Sequence, residues 1–186
     1  KSAKKSAKKS AKKSAKKSAK TTIYNLYRKI DKMLDSYIPF VNQLSEDEIG
    51  QFGNDYTSCW LLAYYFHSTL FKLDEQNEPY YENKNVKLTD ITFNTGIYSF
   101  YTSNSTEMHH FILIVTDENI RLISTYGGQE GVIDITRDRK DFIQLFGQVF
   151  DGKAEDKLDM YRELFGIELD SLDMKDSTLS YSFIAV

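Results

Sequence analysis

Apolar residues recur every three or four positions from Ile23 onward, at Leu26, Tyr27, Ile30, Met33, Leu34 and Tyr37. That spacing lays one face of a helix on a core, and the helix is predicted to end before Pro39, which lacks an amide N–H. Ser45 and Glu48 have the spacing of a capping box, in which hydroxyl and carboxylate satisfy two orphaned amides, so a short helix is predicted over 46 to 52. Gly53, Asn54 and Asp55 break the chain. An almost wholly apolar run then extends from Ser58 through Cys59, Trp60 and Leu61 to Phe71. Apolar on every side, it reads as a buried central helix.

Beyond a polar stretch at 74 to 85, read as a loop, the pattern changes. Short runs rich in Ile, Tyr, Phe and Val at 90 to 93, 96 to 102 and 111 to 115 have the composition of strands. Asp117, Glu118 and Asn119 form a hairpin turn into a strand at 120 to 125. Gly127, Gly128 and Gly131 mark a loop, and a further strand is expected at 132 to 136. Amphipathic helices follow near 138 to 149 and 154 to 165, with 180 to 186 as a last strand. The fold class is α+β: N-terminal helices including a buried central one, a mostly antiparallel sheet, then further helices.

Residues 1 to 20 have no such pattern. They are five copies of Lys-Ser-Ala-Lys, ten lysines and nothing that can seed an apolar core, so they are expected to form a disordered or extended tail beside one globular domain at 21 to 186. Ten of the 24 basic residues lie in this tail. The remaining fourteen face 27 acidic residues, so the body carries a formal charge of −13 against +10 in the tail. A lysine run of this density binds polyanions without reading sequence, which makes nucleic acid the expected partner; acidic lipid or the protein's own acidic face meets the same electrostatics.

The body is long enough to bury a core, which 13 Tyr and 12 Phe help to fill. No apolar run of membrane-spanning length and no signal-like leader is present, so an intracellular, soluble protein is expected, with a nuclear or virion setting compatible with the basic tail. One cysteine excludes an internal disulfide, and with three histidines leaves no usual zinc spacing; no cofactor or metal is expected. A Gly-rich phosphate loop followed by Lys-Ser or Lys-Thr is absent, which removes support for nucleotide hydrolysis.

Candidate chemistry centres on Cys59. It sits where a loop turns into the buried helix, so backbone amides at the helix N-terminus can stabilise a thiolate. About fifty residues on, His109 and His110 precede the apolar strand at 111 to 115, from which one imidazole can reach back as a general base. Strand alternation turns one of the pair inward and the other out. The next strand carries Ser124, Thr125 and Tyr126, one of which can orient that imidazole. His67, two turns into the helix, reads as a packed residue.

The stretch Asn54-Asp55-Tyr56-Thr57-Ser58-Cys59-Trp60, then His109-His110-Phe111-Ile112-Leu113-Ile114-Val115, then Ile120-Arg121-Leu122-Ile123-Ser124-Thr125-Tyr126, resembles the papain-like cysteine peptidase superfamily. It is most similar to the compact papain-fold or transglutaminase-like domains of viral and bacterial effectors. The resemblance spans about residues 50 to 128. It implies a papain-like fold and a peptidase or isopeptidase acting on a protein or peptide substrate, with Cys59 as nucleophile and His109 as base, His110 being the alternative. It puts Ser124 at the position of the usual Asp, Asn or Gln. The oxyanion-stabilising amide falls to Asn54 or Gln51, with Asn54 preferred. Ser124 cannot stabilise an imidazolium as a carboxylate does, so the competing expectation is a catalytically inactive structural or interaction module held to nucleic acid or a larger assembly by the tail.

Overall fold

The structure is a computed structural model describing residues 2–48, 58–103, 108–126, 131–150, 157–171 and 178–186. Helix α1 (Ser2–Asn42) leads to α2 (Cys59–Thr69). Six strands, β1 (Asn83–Val86), β2 (Gly96–Ser103), β3 (Met108–Val115), β4 (Asn119–Ser124), β5 (Ile133–Asp138) and β6 (Thr178–Ala185), form one sheet. Helices α3 (Arg139–Phe150) and α4 (Lys157–Phe165) lie between β5 and β6. The strand order is β1-β6-β2-β3-β4-β5 and every neighbouring pair is antiparallel. The fold class is α+β.

The sheet separates two cores because its strands alternate. On one face Tyr98, Phe100, Phe111, Leu113, Val115, Ile120 and Leu122 pack against α3 and α4 through Phe142, Phe146, Leu164 and Phe165. On the other, Ile97, Ile112, Ile114 and Ile123 meet α1 and α2 through Leu26, Ile30, Met33, Tyr37, Leu61, Leu62 and Phe66. The α1 residues among these are the ones whose three- and four-residue spacing marks the helix in the sequence. Tyr65 Oη donates to the Met33 carbonyl at 2.9 Å, tying α2 to α1.

Two boundaries differ from those read in the sequence. The Lys-Ser-Ala-Lys repeat, expected as a disordered or extended tail, is helical from Ser2 and continuous with the packed part of α1. Alanine and lysine are strong helix formers, and no Gly or Pro interrupts the chain before Pro39, so a helix nucleated on the core propagates backward. The division at residue 20 is therefore one of chemistry. Pro39, expected to follow the helix, lies inside its last turn. There it removes one ladder bond near the end, while Phe40 beyond it packs on Tyr65 with ring centroids 5.0 Å apart.

Other adjustments are smaller. The stretch 90 to 93, expected as a strand, is preceded by a single 3-10 turn (Leu88–Asp90) and makes no strand; Ile91 and Phe93 plug the sheet instead. Residues 83 to 85, at the end of the stretch expected as a loop, join Val86 in β1, which pairs with β6 through Val86↔Leu179. Ser45 Oγ accepts from the Glu48 amide at 3.1 Å and donates to Glu48 Oε1 at 3.1 Å, a partial capping box. Most of the helix expected over 46 to 52 lies outside the described residues. So do Gln51 and Asn54.

Candidate active site around Cys59

Helix α2 opens on Cys59, following Ser58 in extended conformation (φ −67°, ψ 118°), and its buried face rests on β3. The sulfur is partly buried. Burial raises the thiol pKa, and the polar backbone at His110, Cys59 and Trp60 opposes that rise. Cys59 and Trp60 belong to the first turn of α2, where unsatisfied N–H groups stabilise negative charge. His110 belongs to β3 just beyond its pairing with β4, whose outermost pair is Ile112↔Ile123.

Strand alternation then sorts the histidines. His109 shares a face with Phe111, and its ring lies against Tyr126 (4.9 Å), Phe165 (4.8 Å) and Phe111 (5.8 Å) on the α3–α4 side. Its Nε2 is 2.9 Å from Ser124 Oγ, so the expected His109–Ser124 pair forms, but on the face opposite α2. His110 belongs to the face of Ile112 and Ile114, which α2 covers. Of the two, His110 is thus the histidine on the face that α2 covers. Apolar neighbours alone do not distinguish the two, because both faces of this sheet carry an apolar layer.

His110 sits in a polar group that the sequence did not suggest. Its Nδ1 is 2.6 Å from Tyr81 Oη. Ser99 Oγ is 2.7 Å from Nε2 of His67, whose Nδ1 is 2.9 Å from the Lys72 carbonyl. Tyr81, Ser99, His67 and His110 are all buried. Desolvation pushes His110 down to about 3 and His67 to about 4, so both rings are neutral at pH 7. It also raises the Tyr81 phenol well above its ordinary value. His109 is likewise pushed down to about 3 by burial.

No family model, curated protein or solved structure matches the chain. The site therefore stands on its own geometry. Thr125 Oγ1 is buried without a hydrogen-bond partner among the described residues. No three His, Cys, Asp or Glu side chains among the described residues are grouped to hold a metal ion. None of their helices is long and apolar enough to cross a membrane.

The residues that sequence reasoning missed share one cause. Tyr81 lies in a polar segment read as loop, and Ser99 is one hydroxyl in an apolar strand. His67 was read as packed, which it is, yet both its nitrogens are engaged. Only the β2–β3 pairing, with Tyr101↔His110 and Ser99↔Ile112, brings them to one side.

Proposed function

We propose that the body is a cysteine hydrolase of peptide or isopeptide bonds, with Cys59 as nucleophile and His110 as proton carrier. The observation supporting this most is the place of Cys59 at the first residue of α2, with His110 on the sheet face that this helix covers. In this reading the buried thiol is the resting form. It gives its proton to neutral His110 as the sulfur attacks the amide carbonyl, and His110 returns the proton to the leaving amine. Water then gives a proton to neutral His110 as it attacks the thioester carbonyl, the C–S bond breaks to release the acid, and His110 returns the proton to the sulfur. In this reading the first-turn amides of α2 also stabilise the developing oxyanion. The papain-like resemblance supports the same reaction type, with His110 taking the part that it assigns to His109.

Incubation with electrophilic peptide aldehydes followed by intact-mass measurement tests the proposal. A single adduct on Cys59, lost in Cys59→Ala and strongly reduced in His110→Ala, is the expected result. No adduct on the wild-type protein, or an equal one in His110→Ala, would overturn it.

A second reading is favoured by a different observation: among the described residues neither His109 nor His110 meets a carboxylate, and burial keeps the thiol protonated. A module with Cys59 as a packing residue has those properties, and the same adduct experiment separates the two. In either case the lysines of the first half of α1 are proposed to hold the protein to nucleic acid or another polyanion. Those at 8 to 17 are exposed and recur at i and i+4, on neighbouring turns of one helix.

A further inference from the structure

The lysine repeat and the body share one helix, and that continuity changes what the lysines can do. Helix α1 runs unbroken from Ser2 to Asn42. At the end of the repeat, Thr21 Oγ1 donates to the Lys17 carbonyl at 3.0 Å, one turn back along the same helix. Farther on, Leu26, Ile30 and Met33 are packed in the core, and Asp31 is held by Arg121 at 2.8 Å. Residues 8 to 17, by contrast, are exposed on every side. The repeat is therefore an arm whose direction is set by the packing of the body.

The helix also arranges its charges. Lys8, Lys12 and Lys16 stand at i, i+4 spacing and form one ridge; Lys9, Lys13 and Lys17 form a second, about 100° around the helix from the first. Each four-residue repeat adds two lysines in about 6 Å of helix, or one positive charge per about 3 Å. One strand of duplex DNA carries a phosphate charge per about 3.4 Å of axis, so the two charge densities match. A helix of about 10 to 12 Å diameter also fits a B-form major groove about 12 Å wide, with a phosphate backbone on either side.

We propose that the repeat half of α1 docks on double-stranded DNA as a rigid helix, its two lysine ridges set against the phosphates of the two strands that border one groove. This rests on the polyanion reading above and narrows it. A helix that lies on a lipid surface needs a large apolar face, and the repeat offers only alanine. Binding to a single strand draws on aromatic stacking platforms, and the repeat has no aromatic residue. Docking of this kind fixes how the acidic body stands relative to the duplex.

The double variant Ser10→Pro, Ser14→Pro in the full chain tests the inference, because it keeps all ten lysines and breaks the helix ahead of the packed residues. Its far-UV circular dichroism should lose helical signal while the urea midpoint of the body stays unchanged. Affinity is read by titration at low salt against a labelled duplex, a single strand of the same length, and phosphatidylserine–phosphatidylcholine vesicles at equal phosphate. The wild-type chain is expected to bind the duplex most tightly. The variant should lose at least about tenfold on the duplex, since its freed segment must be ordered on binding. Unchanged helical signal or unchanged duplex affinity in the variant overturns the inference, as does wild-type binding to single strand or vesicles that equals binding to duplex. Each of these results leaves the polyanion reading standing. Absence of wild-type binding to all three removes that reading as well.

Discussion

A neutral imidazole held out of water is a latent acid-sensitive group. His67, His109 and His110 all have folded-state pKa values pushed by desolvation from 6.5 to about 4, 3 and 3. The unfolded chain therefore binds more protons than the folded one between about pH 6.5 and 3. Stability is fully present above about pH 6.5 and is lost as pH falls through that window. Most carboxylates titrate below about pH 5, so a fall in the urea midpoint between about pH 7.5 and 5 reports the histidines. An unchanged midpoint across that range would mean that these rings are not buried neutral. His67 adds a cooperative element, since both its nitrogens are engaged and its ring stacks on Phe71 at 5.0 Å.

At the scale of elements, the sheet depends on one close approach. Gly96 begins β2 opposite Ala185 and Val115, and a Cβ there would overlap the Ile184 carbonyl and meet the Phe183 ring at 2.5 Å. Backbone on one side and a packed aromatic on the other leave little room to yield. Gly96→Ala is expected to destabilise by about 2 kcal/mol or more, read as a lower denaturant midpoint at unchanged slope. A cost below about 0.5 kcal/mol would show that β6 does not sit against β2 in this register.

The elements with a strong period were legible in the sequence. The apolar face of α1, the buried α2, the β3–β4 hairpin and the helices α3 and α4 all follow from spacing and composition. The β3–β4 turn falls where Asp117, Glu118 and Asn119 place it, with Val115↔Ile120 as the pair that closes it. Where reading stopped, a competing effect decided. Tertiary packing carried α1 past Pro39. Helix propensity carried it back through a repeat with no apolar face. Which histidine faces α2 was not legible, because His109 and His110 both precede apolar neighbours and the covering layers come from chain segments far apart. Tyr81 reaches His110 across 29 residues, a contact that local pattern does not encode.

The molecule as a whole joins a basic helix to an acidic body. Arg121 anchors that junction, reaching Asp31 of α1 at 2.8 Å and Asp134 of β5 at 2.6 Å beneath the Tyr27 ring. Lys16 lines a cleft with Asp117 and Glu118 of the β3–β4 turn, so the protein's own acidic surface competes with an external polyanion for the end of the repeat. Removal of residues 1 to 20 is expected to abolish retention on heparin or DNA at low salt and to leave Cys59 alkylation within about twofold of the full chain. Retention that survives the deletion would remove the proposed role of the lysines. Because the charge pairs are exposed or partly so, binding to the full chain should weaken steeply with salt.

The sheet is the other large-scale division, with the Cys59 side carrying proposed chemistry and the His109 side packing. The second-order rate of Cys59 alkylation by iodoacetamide near pH 7, in wild type, His110→Ala and His109→Ala, tests that division most directly. The account predicts at least about a tenfold loss for His110→Ala and a rate within about twofold of wild type for a folded His109→Ala protein. Equal rates in all three, or a loss confined to His109→Ala, would contradict it.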